Sequence, residues 1–381
     1  MAYSEGRVVH DADSHLMETS DWLIEYADPD IRESLRPINL GGAGEHGKEL
    51  LAMADEAAAA VVGVAQDKIE QGLMERKGWL AYGSSDGAER SKALDLLGFD
   101  RQLVFSTFAT TQFEGRDLDL FYGGSTAHNR GMAEFCADDE RLLGVGFVPL
   151  HDPERASKLV GEAIEMGLPA IMFPSHPPRT HSPTHPDLDP VWAQLAEAGV
   201  PAMLHVGGGG KPLRPSFHEN GRAKPTDLLG GGESFRCKDL MVLHNPPEIF
   251  LAAMALDGVF MRHPKLRFGC IEQGAMWVVT MLRRIDMAAK MFSKTEPLLS
   301  ELDELPSSYI RRQVRFTPFP EEPVDWIIEQ AGDDLFMFSS DYPHPEGGKD
   351  PLGKFQASLA SVDDAVNDKF YRANFEDMFK G

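Results

Sequence analysis

The stretch VVHDADSHLMET at positions 8–19 places Asp11, Asp13 and His15 at alternate positions. Side chains two apart along a β-strand share one face, so these three are expected to point the same way. A D-x-H pair at a strand's carboxyl end offers one metal ion a carboxylate oxygen and an imidazole nitrogen from one side. Aspartates also end strands and cap turns, so the pair alone decides nothing. The design recurs downstream: VPAMLHVGGG closes an apolar run with His205, and LFMFSSDYPHPEG closes another with Asp341. Asp13, His15, His205 and Asp341 therefore stand as candidate ligands of one divalent metal, a set suited to metal-assisted catalysis on a small molecule.

Such a set works only if distant strand ends converge. Short apolar runs alternate with amphipathic stretches along the chain, the pattern of repeated βα units. Strands are expected over 7–13, 102–107, 143–150, 169–173, 201–205, 267–272, 313–317 and 335–339. Helices are expected over 128–137, 153–166 and 188–198, the second entered through Asp152 and Pro153 and the third stopped by Gly199. Eight strands with crossover helices allow a closed barrel or an open doubly wound sheet, and periodicity does not separate them. Two segments exceed a minimal barrel: residues 40–98, with an alanine-rich helical stretch, and the Gly- and Pro-rich residues 206–245. Both follow a strand's carboxyl end, where long loops make lids and substrate walls, although composition leaves the second equally a solvated linker. No linker divides the chain, so residues 1–381 are read as a single domain.

Composition narrows the partners. Lys plus Arg number 37 against 60 Asp plus Glu, a formal charge of −23, and no basic run offers a footprint for nucleic acid. An anionic substrate would need local Arg, Lys or metal to hold it. Cys136, Cys237 and Cys270 are few and far apart, which fits a reducing compartment better than a disulfide framework. No apolar stretch reaches the roughly 18 residues of a membrane span, and the first residues lack a signal-peptide core. A cytoplasmic protein with no membrane partner is expected.

The order D-x-H, P-x-x-x-H and SSDYPHPEG resembles the amidohydrolase superfamily, in the amidohydrolase-related branch of aminocarboxymuconate-semialdehyde decarboxylase. DPERA at 152–156, DPVW at 189–192, HPKLRFGCIEQG at 263–274 and FYRANFEDMF at 370–379 extend the resemblance over essentially the whole chain. It implies a distorted (β/α)8 TIM barrel with long insertions after strands 1 and 5. One metal would be held by Asp13, His15, His205 and Asp341, with His344 as a neighbouring residue. The branch usually carries H-x-H in the first strand, whereas Asp13 takes the first place here. Two carboxylates harden the site, so zinc is expected first and manganese competes. The branch's decarboxylases carry a histidine, often with an acid three residues on, where this chain has Glu272 and Ala275. Glu272 could ligate the metal, serve as a base toward its water, or pair with a nearby arginine such as Arg315. PAIMFPSHPP ends in no lysine, so the bridging carbamylated lysine of binuclear relatives is not available.

The expected activity is that of a mononuclear metal-dependent hydrolase acting through metal-activated water, with Asp341, Glu272 and His205 as catalytic residues. The substrate would be a small carboxylated, aromatic or cyclic molecule. Alternatives are a decarboxylase or hydratase of the same branch, and a metal-binding scaffold without catalysis. Arg179, Lys211, Arg214 and His218 are candidates to meet a substrate carboxylate. His176, in a loop with His181 and His185, could line the pocket or simply form a polar loop. The branch implies a homodimer or higher homo-oligomer.

Overall fold

Seven short parallel strands form where the chain runs apolar, and helices follow most of them. The computed structural model describes all residues except 1–2, 5, 39–48, 50, 53, 57–68, 70–71, 116, 208–211, 223–235 and 381. Much of both expected insertions, and Lys211, lie outside the described residues. Two compact units are formed, one from Met1–Phe147, Leu213–Leu240 and Ser339–Leu352, the other from Val148–Pro212, Met241–Phe338 and Gly353–Gly381. Among the described residues no helix is long and apolar enough to cross a membrane.

In the first unit β1 (His10–Leu16) pairs with β2 (Arg101–Ser106), and β2 with β3 (Leu142–Phe147). The β1 register runs from Asp11 opposite Gln102 to Ser14 opposite Val104, so β1 carries an extra residue there, a bulge. On its other side Ser14 bridges Tyr342 in parallel. Helix α1 (Gly87–Leu97) starts at Asp86, whose side chain accepts from Glu89 N, and stops at Gly98 in the left-handed conformation. Helix α2 (Leu118–Phe135) begins at the Asp117 cap, well before the expected residue 128. The pair Gly123 and Gly124 hides that start, because glycine lowers helix propensity. A Cβ on Gly124 would lie 2.4 Å from the Phe113 ring, so packing demands glycine there.

His128, on the buried face of α2, stands edge-on to Trp22 and Phe147. Its ring nitrogens bond Asn129 Oδ1 at 3.1 Å and Ser106 Oγ at 2.9 Å, a set that satisfies the neutral ring. Burial holds its pKa down at about 4, against an ordinary 6.5. Below pH 6.5 the unfolded chain therefore binds a proton that the folded one refuses, and stability is lost as pH falls toward 4. The whole window corresponds to about 3 kcal/mol. Urea unfolding of the native chain and of His128→Leu should show the native chain losing stability relative to the variant between pH 7 and pH 4. A pH-independent difference would refute the assignment.

In the second unit β4 (Ala170–Met172), β5 (Ala202–His205), β6 (Phe268–Ile271) and β7 (Val314–Phe316) pair in that order, all parallel. The expected strand 335–339 is extended chain with one bridge, Phe316 to Phe336, framed by Phe316 N to Leu335 O and Met337 N to Phe316 O. Helices α3 (Pro153–Glu165) and α4 (Asp189–Ala198) match expectation, with the Asp152 cap and Gly199 stop in place. Trp192 on α4 is fully buried, its ring 5.2 Å from Phe173 and 5.9 Å from Phe268. This aromatic contact fastens α4 to β6.

Candidate metal centre

The first unit gathers Asp13, His15, Asp341 and His344. Asp13 lies within the β1 bulge and His15 just beyond it, and their side chains converge: His15 Nε2 lies 3.2 Å from Asp13 Oδ1 and 3.5 Å from Asp341 Oδ1. His15 Nδ1 points to the Ser106 carbonyl at 3.4 Å, and a carbonyl only accepts. That contact puts the proton on Nδ1 and leaves the Nε2 lone pair toward the carboxylates. His344 is arranged likewise. Thr107 Oγ1 donates to the Leu16 carbonyl, so it accepts from His344 Nε2, and His344 Nδ1 then faces Asp341 Oδ1 at 3.0 Å. Asp341 Oδ1 is buried and makes no hydrogen bond among the described residues. In the neutral rings these contacts set acceptor against acceptor, an arrangement that a divalent cation turns from repulsive to attractive. One atom each from His15, Asp341 and His344 lies within 4.8 Å of the others.

The second unit supplies His205, at the end of β5, and Glu272, just beyond β6. His205 Nδ1 reaches the Val206 carbonyl at 2.9 Å, and its Nε2 lies 3.4 Å from Glu272 Oε2. The logic is the same, a proton fixed on Nδ1 and Nε2 presented to a carboxylate. Arg315, the alternative partner considered for Glu272, bonds Asp377. Among the described residues the non-glycine positions with positive φ are Glu272, at 55°, and Asp341, at 53°. Each such residue costs on the order of 1 kcal/mol, and each is a carboxylate of the candidate group in its own unit, so the surrounding structure holds it there.

Asp11 does not join Asp13 and His15, contrary to the alternation expected. The bulge interrupts the register, and the buried Asp11 carboxylate accepts from Ser340 N, Ser340 Oγ, Gln102 Nε2 and Asp13 N. Burial pushes its pKa up to about 7 against the pull of those donors. Lys77 is a further residue that motif reading missed. Its Nζ is buried, makes no hydrogen bond among the described residues, and feels the carboxylates of Asp341, Glu346 and Glu75. Burial pushes the ammonium's pKa down. Gly78 N donates to Pro343 O at 2.8 Å, which ties this segment to the chain just after Asp341. Its sequence signal is only a cation, KGW, inside an expected lid.

The remaining candidates fall outside both groups. His218 pairs with Asp239 at 3.1 Å, Arg214 and Arg179 are exposed, and His176 is half-buried in the loop after β4.

Parallel strands followed by helices, with side chains of metal-ligand type near strand ends, define an α/β class of fold. The amidohydrolase family model matches residues 74–380, and the chain belongs to that family. Asp13 and His15 precede the matched span. The fold is shared with an amidohydrolase from Mycobacterium avium subsp. paratuberculosis, at 22% identity, TM-score 0.71, and 98% and 99% coverage of this chain and that one. A 5-carboxyvanillate decarboxylase from Novosphingobium aromaticivorans, complexed with manganese and 4-hydroxy-3-methoxy-5-nitrobenzoic acid, matches at 18% identity and TM-score 0.66, covering 100% and 98%. A dihydroxybenzoic acid decarboxylase from Polaromonas, with manganese and 2-nitroresorcinol, matches at 15% identity and TM-score 0.63, covering 98% and 97%. No curated protein gave a significant match to the sequence.

Proposed function

We propose that the chain is a manganese-dependent, non-oxidative decarboxylase of a small hydroxylated aromatic carboxylate, built as a distorted (β/α)8 barrel. The observation that carries the reading is the buried Asp341 Oδ1, set against the ring nitrogens of His15 and His344 with no donor among the described residues. Support for the reaction comes from decarboxylases of the same fold whose structures hold manganese with an aromatic molecule. Asp13, His15 and Asp341 would hold a single ion, and a donor set of carboxylates with imidazole suits manganese as well as zinc. When bound, the ion supplies a fixed positive charge against which anionic substrate oxygens are held.

The chain's own groups do the rest. Lys77 meets the substrate carboxylate and offsets the negative charge that Asp341 and Glu346 bring to its surroundings. The Asp341 carboxyl hands its proton to the ring carbon that bears the carboxylate. The carbon–carbon bond then breaks, its electron pair restores the aromatic ring, and CO2 leaves; solvent returns a proton to Asp341. Glu272, beside His205, favours a second reading, hydrolysis of an ester or lactone with Glu272 as the base, because a carboxylate can take a proton from an attacking water.

Headspace CO2 from manganese-loaded protein, given a panel of dihydroxybenzoates and carboxyvanillates, tests the first reading. Parallel assays on aryl esters and lactones test the second. CO2 release with inert esters is expected; ester hydrolysis without CO2 would overturn it. Lys77→Met should raise KM for the carboxylate by ~10–100-fold, the value of one charge-assisted hydrogen bond, with a smaller change in kcat. An unchanged KM would remove Lys77 from substrate binding.

A further inference from the structure

Beneath the first-unit ligands lies a buried polar network that none of the proposed chemistry uses. Arg90, on α1, is fully buried, and so are Gln102 and Asp11. The guanidinium donates to the carbonyls of Gly83 and His15, to Ser14 Oγ and to Gln102 Oε1. The Gln102 amide, its oxygen thus fixed toward Arg90, donates through Nε2 to Asp11 Oδ2 at 2.8 Å. Asp11 in turn accepts from Ser340 N at 2.8 Å and Ser340 Oγ at 2.6 Å. The Arg90 guanidinium carbon also lies 5.2 Å from the centre of the Tyr342 ring. A buried arginine and a buried aspartate are thus linked through one amide, each with its other partners supplied.

The partners of this network bracket the ligands. Asp11 grips Asp13 N and Ser340, the residue before Asp341. Arg90 grips Ser14, the His15 carbonyl and the face of Tyr342, the residue after Asp341. Between those grips the two backbones exchange Asp341 N to Asp13 O at 2.9 Å and His15 N to Tyr342 O at 2.7 Å. The approach of Arg90 is itself built in: a Cβ on Gly83 would come within 2.5 Å of the Arg90 backbone, and Gly83 has φ of 69°, so glycine is required.

We infer that Asp11, Gln102 and Arg90 are positioning residues that hold Asp13–His15 and Asp341 at ligating distance, and so set the affinity of the centre for its metal. The inference rests on the metal reading given above. Groups behind metal ligands commonly change affinity by 10–100-fold when removed, because the first ligands lose their orientation.

Manganese binding to the purified full chain, followed by calorimetry well below the unfolding temperature and by electron paramagnetic resonance of the bound ion, tests it. Gln102→Met keeps the side-chain length and cuts the link; Ser340→Ala removes one Asp11 donor and serves if the first variant folds poorly. Each is expected to weaken manganese binding by ~10–100-fold and to alter the resonance of the ion still bound. Ser91→Ala, which loses a hydrogen bond to Asp139 elsewhere in the same unit, should leave the affinity at the native value. A purely structural role would lower the unfolding temperature of the Gln102 and Ser340 variants while leaving affinity and spectrum native, and that result overturns the inference. Failure of the native chain itself to bind manganese or zinc sinks the metal reading instead, and is told apart by that control.

Discussion

Asp341→Asn is expected to lower kcat on the order of 10³-fold, because one substitution removes the proton-donating carboxyl and an anionic ligand together. Its effect on stability should run the other way. Without metal, Asp341 Oδ1 faces His344 Nδ1 at 3.0 Å, and it makes no hydrogen bond among the described residues. An asparagine amide can present an N–H to that nitrogen, which replaces a repulsive contact by a hydrogen bond worth about 1 kcal/mol. The metal-free variant should therefore match or exceed the metal-free native chain in a urea titration. Added manganese reverses the order: at one hundred times its Kd the native chain gains about 2.7 kcal/mol, and the variant, lacking an anionic ligand, gains less. Equal stabilisation of both by manganese would show that Asp341 is not a ligand. A variant with near-native kcat would show that it is not the proton donor.

What the sequence revealed and what it hid divide along a physical line. The D-x-H spacing, His205 and Asp341 stand out as candidates because a strand's two-residue period and the end of an apolar run are local features. The family followed from the same residues. The role of Asp11 was not legible, since one extra residue in β1 shifts the register, and only the pairing of Asp11 with Gln102 and Ser14 with Val104 reveals it. Sequence places the start of helix α2 too late because two glycines suppress local propensity, and one of them, Gly124, is demanded by the Phe113 ring. The apolar content of 335–339 predicts a full strand, yet an isolated bridge to Phe316 is what forms. The pairing of His218 with Asp239, 21 residues on, is likewise invisible to local sequence. Lys77 and Arg90 carry no motif, and their meaning comes from burial and from partners remote in sequence, which no window of residues contains.

Gly347→Ala should be the most damaging single-methyl change near the centre. The Cβ it adds would lie 2.2 Å from the Ser340 carbonyl oxygen, 3.0 Å from the Asp341 Cβ and 3.2 Å from the Asp341 oxygen. The first contact sets a Cβ, which no rotamer moves, against a backbone oxygen, so the chain must part by on the order of 1 Å. The segment has little freedom to give. Ser340 is held by Asp11, Asp341 N by the Asp13 carbonyl, His344 N by the Asp341 carbonyl, and Asp341 already sits at φ of 53°. Overpacking of this kind costs about 1–3 kcal/mol, and a 1 Å displacement of a catalytic group costs ~10²-fold in rate. The variant should thus unfold several degrees earlier, bind manganese more weakly and lose about 10²-fold in kcat/KM. Gly161→Ala is the matched control: its Cβ would meet the end of the Gln194 side chain at 3.2 Å, which can swing aside, and α3 gains helix propensity. A Gly347→Ala protein with native metal affinity and rate would mean that the turn over Asp341 is loose, and that the left-handed aspartate is not what aims the carboxylate.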